Sequence, residues 1–384
     1  MQAMEGPPPL HFSCHIARSP PGKMRPEYLE LLKTLISFAP VTSDIPAVNR
    51  TASYLADFVA KKGLRVHVVD TSSGRKGLYV SALPTGYVSD YLFVAHLDVV
   101  PLSTPSQSTP VEKDGILYGR GAADCLGRAV CIAQILCENP GCPAAALFST
   151  DEEEGGLTLL ELLKDSIGVH ATKGVAILDS WRDGGIATAE KGMMNVRMTA
   201  HGRAGHTAYP WTADNAVDAL VRGYARLLDA WKNPTQEDNW QDSISATALE
   251  CPSKAHNIVP DTASMVCNIR FTTPRGEADV VDRIRRLTGI DEIEVMNSCV
   301  PVFSRPDDPF VNRVKSIAER VRGREITLYR MNGATDARHV AQVYPDIPIV
   351  IDGSKCGNFH GPEEWLDLED TNTLIQIYEE VIRS

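Results

Sequence analysis

The sequence predicts an α/β fold: a mostly parallel sheet flanked by helices, split in the chain by an inserted α+β domain. Three observations carry this reading. Apolar runs of strand length alternate with helical stretches through the first half of the chain. Near Glu190 the pattern changes to period-two alternation, in the order β-α-β-β-α-β of a ferredoxin-like sandwich. After Pro301 the first style returns. The main domain is therefore expected over residues 25–190 and 300–384, the insert over 191–299, and a Pro-rich tail over 1–24.

The elements follow in order. Pro26–Phe38 and Pro46–Lys62 read as helices, the second stopped by Gly63. "LRVHVVD" and "GLYVSAL" read as strands, and "YLFVAHLDVV" as a buried strand. "RAVCIAQILCE" is a helix, "AAALFST" a strand, "TLLELLKD" a helix and "GVAILDS" a strand. In the insert, "MNVRMTAHG", "SISATALE", "TASMVCNIRFTT" and "IEVMNS" read as strands, with helices "NAVDALVRGYARLLDAW" and "EADVVDRIRRL" between them. The helix "VNRVKSIAERV", the strand "IPIVID" and the helix "DTNTLIQIYEEVI" close the chain.

Composition narrows the function classes. The chain has 384 residues, enough for two domains. No apolar run approaches membrane-spanning length. A formal net charge of -11 gives no electrostatic footprint for nucleic acid or anionic membrane. Nine cysteines are scattered without paired CxxC spacing, which argues against a thiolate zinc site and for a reducing cytoplasm. The N-terminus lacks the apolar core of a signal peptide.

The polar residues at strand ends carry the chemistry. "YLFVAHLDVVP" ends in His96 and Asp98, "AAALFSTDEEE" in acids, "GVAILDSW" in Asp179, and "IPIVID" leads to His360. Asp124 closes the Gly-rich turn "GRGAAD" ahead of a helix. The C-terminal edge of an open α/β sheet is where ligands bind. Two histidines and three carboxylates suit a pair of zinc ions or similar divalent metals. With Asp124, Glu153, Asp179 and a bridging hydroxide, two such cations are neutralised, so the set can be buried. Each piece has an ordinary reading alone: a structural histidine, a turn-capping Asp98, a solvated acidic run, an N-cap at Asp179, a tight turn in "GRGAAD". What argues against these readings is that the placements converge on one edge.

"AHLDVVP", "YGRGAAD", "STDEEEGG", "AGHTAYP", "HNIVPD", "NGATDARH" and "NFHGPEEW" resemble, in order, the successive motifs of the M20 metallopeptidases, the carboxypeptidase G2 / aminoacylase-1 / ArgE–DapE deacylase family. The resemblance covers residues 91–364. It implies a zinc-exopeptidase-like fold whose insert is a dimerisation or lid domain. It implies two divalent ions, Zn²⁺ first, with Co²⁺ or Mn²⁺ as alternatives. His96 and Asp179 would bind one ion, Glu153 and His360 the other, and Asp124 both. Asp98 would hold His96 by its second ring nitrogen. Glu152 would be the general base acting on a water between the metals. His206 would reach a neighbouring subunit's site in a homodimer and stabilise the oxyanion. Asn257 and Arg270 would hold a substrate carboxylate.

The "GATDARH" segment, with Thr335, Asp336 and Arg338, either lines the pocket or caps a helix. The family places a cis peptide after the bridging Asp, so Asp124–Cys125 is expected to be cis. Cys125 itself is read as structural. Asp179 in "ILDSW" is typical of the di- and tripeptidases, carnosinases and aminoacylases, whereas "GHTAYPWTADNAV" is similar to the desuccinylase version of that segment. The expected substrate is an amide next to a free carboxylate, in an N-acyl amino acid or short peptide. A biosynthetic deacylase of N-succinyl-diaminopimelate or N-acetylornithine type is the second reading. A non-catalytic binding protein and an unrelated α/β protein holding one Mg²⁺ are the remaining ones.

Overall fold

The computed structural model describes residues 24–383 apart from positions 181, 183, 253 and 254. The Pro-rich tail expected over 1–24 therefore lies outside the described residues but for Met24. A nine-stranded sheet forms the centre. Its order is Arg65–Asp70, Lys76–Ser81, Ala144–Ser149, Val88–His96, His170–Leu178, Ile349–Asp352, Ile186–Glu190 and Val302–Phe303, with Leu328–Met331 also paired to Ile186–Glu190. The four middle strands, from Ala144–Ser149 to Ile349–Asp352, run parallel. The strands that flank them are antiparallel to them.

Parallel strands are covered on both faces, so they read as continuous apolar runs. "AAALFS" is buried at every position. On one face, Tyr91, Phe93 and Ala95 pack with helices Pro26–Ser37, Ile45–Lys61, Leu126–Cys137, Pro309–Arg322 and Leu368–Arg383. On the other, Leu92 and Val94 pack with Thr158–Lys164 and Ala337–Val343. Helix starts follow local chemistry: the Asp44 side chain accepts from Ala47 N at 3.0 Å, and Pro46 sits in the first turn where no donor is lost. Among the described residues no helix is long and apolar enough to cross a membrane.

Between Glu190 and Cys299 lies a separate antiparallel sheet in the order Ser243–Glu250, Thr262–Phe271, Gly192–His201, Glu292–Cys299. Helices Ala216–Trp231 and Glu277–Thr288 supply Leu220 and Ile284 to its own core, against Met194, Val196, Met198, Cys267 and Ile269. Alternation leaves Asn195, Arg197 and Thr199 off that core.

Several strands carry no signal in the sequence. Ile186–Glu190 is short and mixes small apolar with polar residues, and Leu328–Met331 is only four residues long. A further four-stranded sheet joins Val111–Lys113, Ile116–Tyr118, Cys356–Gly357 and Trp365–Asp367, segments of two or three residues that tertiary pairing alone defines.

Gly127 shows how tightly the turn holding Asp124 is packed on the next helix. A Cβ at Gly127 would stand 2.2 Å from the Ala122 carbonyl oxygen and 2.7 Å from Leu366 Cδ2. Gly127→Ala is expected to cost about 1–3 kcal/mol through overpacking. A thermal-unfolding midpoint equal to the parent's would show that the turn can give way.

Candidate metal centre

The parallel register aligns strand ends, pairing His96 with Ser149 and Leu178 with Asp352. The residues just beyond them meet. His96 is buried, and its Nε2 lies 3.0 Å from Asp124 Oδ1 and 3.7 Å from Asp179 Oδ1. The other Asp124 oxygen is 3.1 Å from His360 Nε2, which is also 3.2 Å from Glu153 Oε2. One carboxylate is thus shared between two imidazoles, the first buried and the second 56% exposed.

Asp98 organises the buried side. It is fully buried, and one or other of its oxygens accepts from Thr42 Oγ1 at 2.8 Å, Glu152 N at 3.2 Å and Glu153 N at 3.3 Å. His96 Nδ1 sits 3.0 Å from the Asp98 carbonyl oxygen and 3.4 Å from Oδ1. Asp98 therefore does cap the acidic turn, and it also orients the imidazole.

The turn itself uses its acids differently. Asp151 accepts from Leu157 N and Thr158 N at 3.1 and 3.2 Å, starting the next helix. Glu152 Oε1 takes an ion pair from Arg338 Nη1 at 2.9 Å. Glu153 faces His360, and Glu154 is exposed, 3.8 Å from Arg75. Gly155, at φ 67, takes a left-handed conformation that suits glycine and ends the turn.

Two groups that the sequence did not single out hold Asp124. Buried Glu364 accepts the backbone N–H of Gly121, Ala123 and Asp124 at 2.9, 2.9 and 3.0 Å. Its second oxygen pairs with buried Arg120 at 2.7 Å, and Arg120 also donates to the His360 carbonyl oxygen at 3.1 Å. The quoted motifs contain both residues, but nothing in their spacing tells Glu364 from exposed Glu363. The Asp124–Cys125 peptide is cis, as expected. The Cys125 thiol, raised by burial, donates to the Leu178 carbonyl oxygen at 3.1 Å.

The residues of the insert stand apart. His206 is exposed on the two-residue strand Gly205–His206, and its Nδ1 accepts from Ala208 N at 3.0 Å. The backbone oxygen of Asn257 accepts from Thr207 N at 3.1 Å, and half-buried Arg270 donates to Asn268 Oδ1 at 3.0 Å. Among the described residues none of these three hydrogen-bonds or ion-pairs with the His96–His360 cluster. In "GATDARH", Asp336 takes the Ser149 hydroxyl, Thr335 Oγ1 accepts from Ala337 N at 3.2 Å, and Arg338 reaches Glu152.

Electrostatics bear on whether cations fit. Burial pushes the Glu153 carboxyl up to about 7, with the Asp124 charge adding to it. Burial also raises Glu152 well above the usual carboxylate range and raises Asp179. Burial acts the same way on Asp124, but hydrogen bonds from His360 and His96 outweigh it and hold that carboxyl low. His360 is raised by its hydrogen bond to Asp124. Glu153 Oε1 is buried with no hydrogen-bond partner. Ligand atoms of His96, Asp124 and Glu153, and separately of His96, Cys125 and Asp179, lie within 4.8 Å of one another. Nitrogen and oxygen donors in this arrangement fit zinc-like divalent ions.

A parallel sheet edge that gathers two histidines, a shared aspartate and a glutamate beside a second, ion-paired glutamate carries the donor types of a metal-dependent hydrolase. The chain belongs to peptidase family M20/M25/M40, whose profile matches residues 92–384. It is 26% identical over 385 residues to the succinyl-diaminopimelate desuccinylase of Zymomonas mobilis, covering 94% of this chain and 98% of that one. Its identity to the desuccinylase of Maricaulis maris is 30% over 333 residues, covering 76% and 80%. Among solved structures it is similar to aminopeptidase PepT from Bacillus cereus, with a TM-score of 0.73 at 19% identity over 92% and 98% of the chains. Similarity to the metallo-carboxypeptidase Sso-CP2 from Sulfolobus solfataricus gives 0.75 at 17% over 93% and 99%.

The charge pattern gives a pH prediction. Without metal Glu153 keeps its proton below a pH of about 7, and a cation held by Glu153 would displace it. Metal uptake is therefore weak in acid and strengthens as pH rises toward that value, by about tenfold per pH unit for each proton displaced, the Glu153 contribution levelling off above it. Zn²⁺ titrations against a competing chelator at several pH values measure this, and a flat profile would contradict it.

Proposed function

We propose that this chain hydrolyses an amide bond next to a free carboxylate, in a small N-acyl amino acid or short peptide. Two divalent cations, Zn²⁺ in the first place, are held by His96, Asp124, Glu153, Asp179 and His360. The observation that carries this is Asp124, whose two oxygens face two different imidazoles while Glu153 keeps one buried oxygen unpaired. Bound cations supply Lewis acidity toward the amide oxygen and a lowered pKa for the attacking water.

The chain's own groups do the rest. Glu152 takes the proton of that water and returns it to the leaving nitrogen. Its raised proton affinity suits a base, and Arg338 fixes its carboxylate. Arg270 and Asn257 hold the substrate carboxylate once the insert closes, Arg through its planar fork. His206, exposed and remote from its own cluster, serves the site of a partner subunit in a homodimer. The free thiols among the described residues accord with a reducing cytoplasm. The acidic charge leaves nucleic acid and anionic membrane outside this reading.

A second reading, removal of an N-succinyl group, is supported by the relatives, which are named succinyl-diaminopimelate desuccinylases. A panel of N-acetyl and N-succinyl amino acids and dipeptides, assayed on chelator-treated protein with Zn²⁺ restored, separates the two. Glu152→Gln is expected to lower kcat by about 10²–10⁴ while two metal ions per chain remain bound. Retained activity there would sink the assignment of the base. Mixing inactive Glu152→Gln with inactive His206→Ala is expected to recover activity, since one mixed site has both groups intact. No recovery would sink the role of His206 across the dimer.

A further inference from the structure

Glu190 is fully buried and takes no part in the chemistry described above. It ends the strand Ile186–Glu190 at the root of the inserted unit. Here the chain leaves for the insert, returns from it through Val302, and is joined by Met331; the last two both pair with Glu190. One Glu190 oxygen accepts from the Thr335 amide at 3.0 Å and from the Thr335 hydroxyl at 2.9 Å. The other has no hydrogen-bond partner. Next door, Lys191 donates to the carbonyl oxygens of Asn239 and Gln241, at 2.6 and 2.8 Å, on the side of the insert.

Thr335 leads directly to the reacting end of the site. Its hydroxyl accepts from Ala337 N at the start of helix Ala337–Val343. Arg338 on that helix is buried and pairs with Glu152 at 2.9 Å. Arg338 Nη2 has no hydrogen-bond partner, and its charge attracts that of Glu190. A buried carboxylate with an unpaired oxygen is costly. Burial raises it to about 8. An apolar side chain could fill the space without that cost, so the acceptor oxygen is explained by what it holds.

We propose that Glu190 is a positioning residue of this hydrolase: from the root of the inserted unit it fixes Thr335 and so sets Arg338 on Glu152. This rests on the hydrolytic reading above. The position of the insert and the orientation of the base then share one anchor.

Glu190→Ala, Glu190→Gln and Thr335→Val test it in the full-length, Zn²⁺-loaded protein. Glu190→Ala is expected to lower kcat by about 10–100-fold, with KM within about threefold and two metal ions per chain retained. Glu190→Gln keeps an oxygen that can accept both Thr335 donors, so it is expected to recover most of the loss. Thr335→Val is expected to fall between them. Hydrogen exchange at the Thr335 amide should accelerate in Glu190→Ala and not in Glu190→Gln. A parent that hydrolyses no substrate in the panel overturns the hydrolase reading, and this role with it. An active parent whose Glu190→Ala variant keeps kcat within about twofold, or whose Glu190→Gln is no better than Glu190→Ala, overturns the role of Glu190 alone. Unchanged exchange at Thr335 overturns the anchoring contact.

Discussion

The centre depends on one buried ion pair, Arg120 with Glu364. A buried pair contributes only when nearly all its lone pairs and protons are satisfied, because desolvating both charges costs several kcal/mol. Glu364 meets that condition through three backbone amides on one oxygen and a guanidinium on the other. Those amides belong to the loop that ends in Asp124. Arg120 also holds the His360 carbonyl oxygen, so the same pair joins two segments about 240 residues apart in the chain. The shared carboxylate and the second imidazole are positioned together because one charge pair sets both.

The acidic run shows how local geometry divides like charges. Four adjacent acids would repel if they faced one way. The tight turn after Ser149 sends them to four environments: backbone amides, a guanidinium, an imidazole and solvent. Asp98 holds this division by accepting the amides of Glu152 and Glu153 from beneath. The Glu152 and Glu153 carboxylates are therefore kept apart by the backbone.

Much of this is legible in sequence, for physical reasons. Buried parallel strands must be apolar along their length, so a His or Asp directly after such a run marks the edge of the sheet, as His96, Asp98 and Asp179 do. The inserted sheet is legible because its strands alternate. The supporting residues are not. Glu363 and Glu364 are chemically identical neighbours, and only the fold buries one and exposes the other. Thr42 lies in a loop far from Asp98 in the chain, and nothing periodic links them. Arg338 sits in a legible motif, but its partner Glu152 is 186 residues away and becomes apparent only when the helix packs.

Glu190 and Lys191 extend that point to the junction of the two units. Consecutive side chains in extended backbone point to opposite sides. At most positions this merely separates core from solvent. Here both sides are protein, so one residue holds the 332–336 loop and the next holds the 239–241 segment. Both residues are nearly or fully buried; Lys191 is met by backbone carbonyls of one unit, and Glu190 by the amide and hydroxyl of Thr335 in the other. Backbone partners do not depend on the side chains of those loops. The 239–241 segment can therefore vary in sequence while the junction keeps its geometry, whereas the Glu190 side also depends on the Thr335 hydroxyl. The Arg338–Glu152 pair is linked to the junction through Thr335, and the inserted side through Asn239 and Gln241.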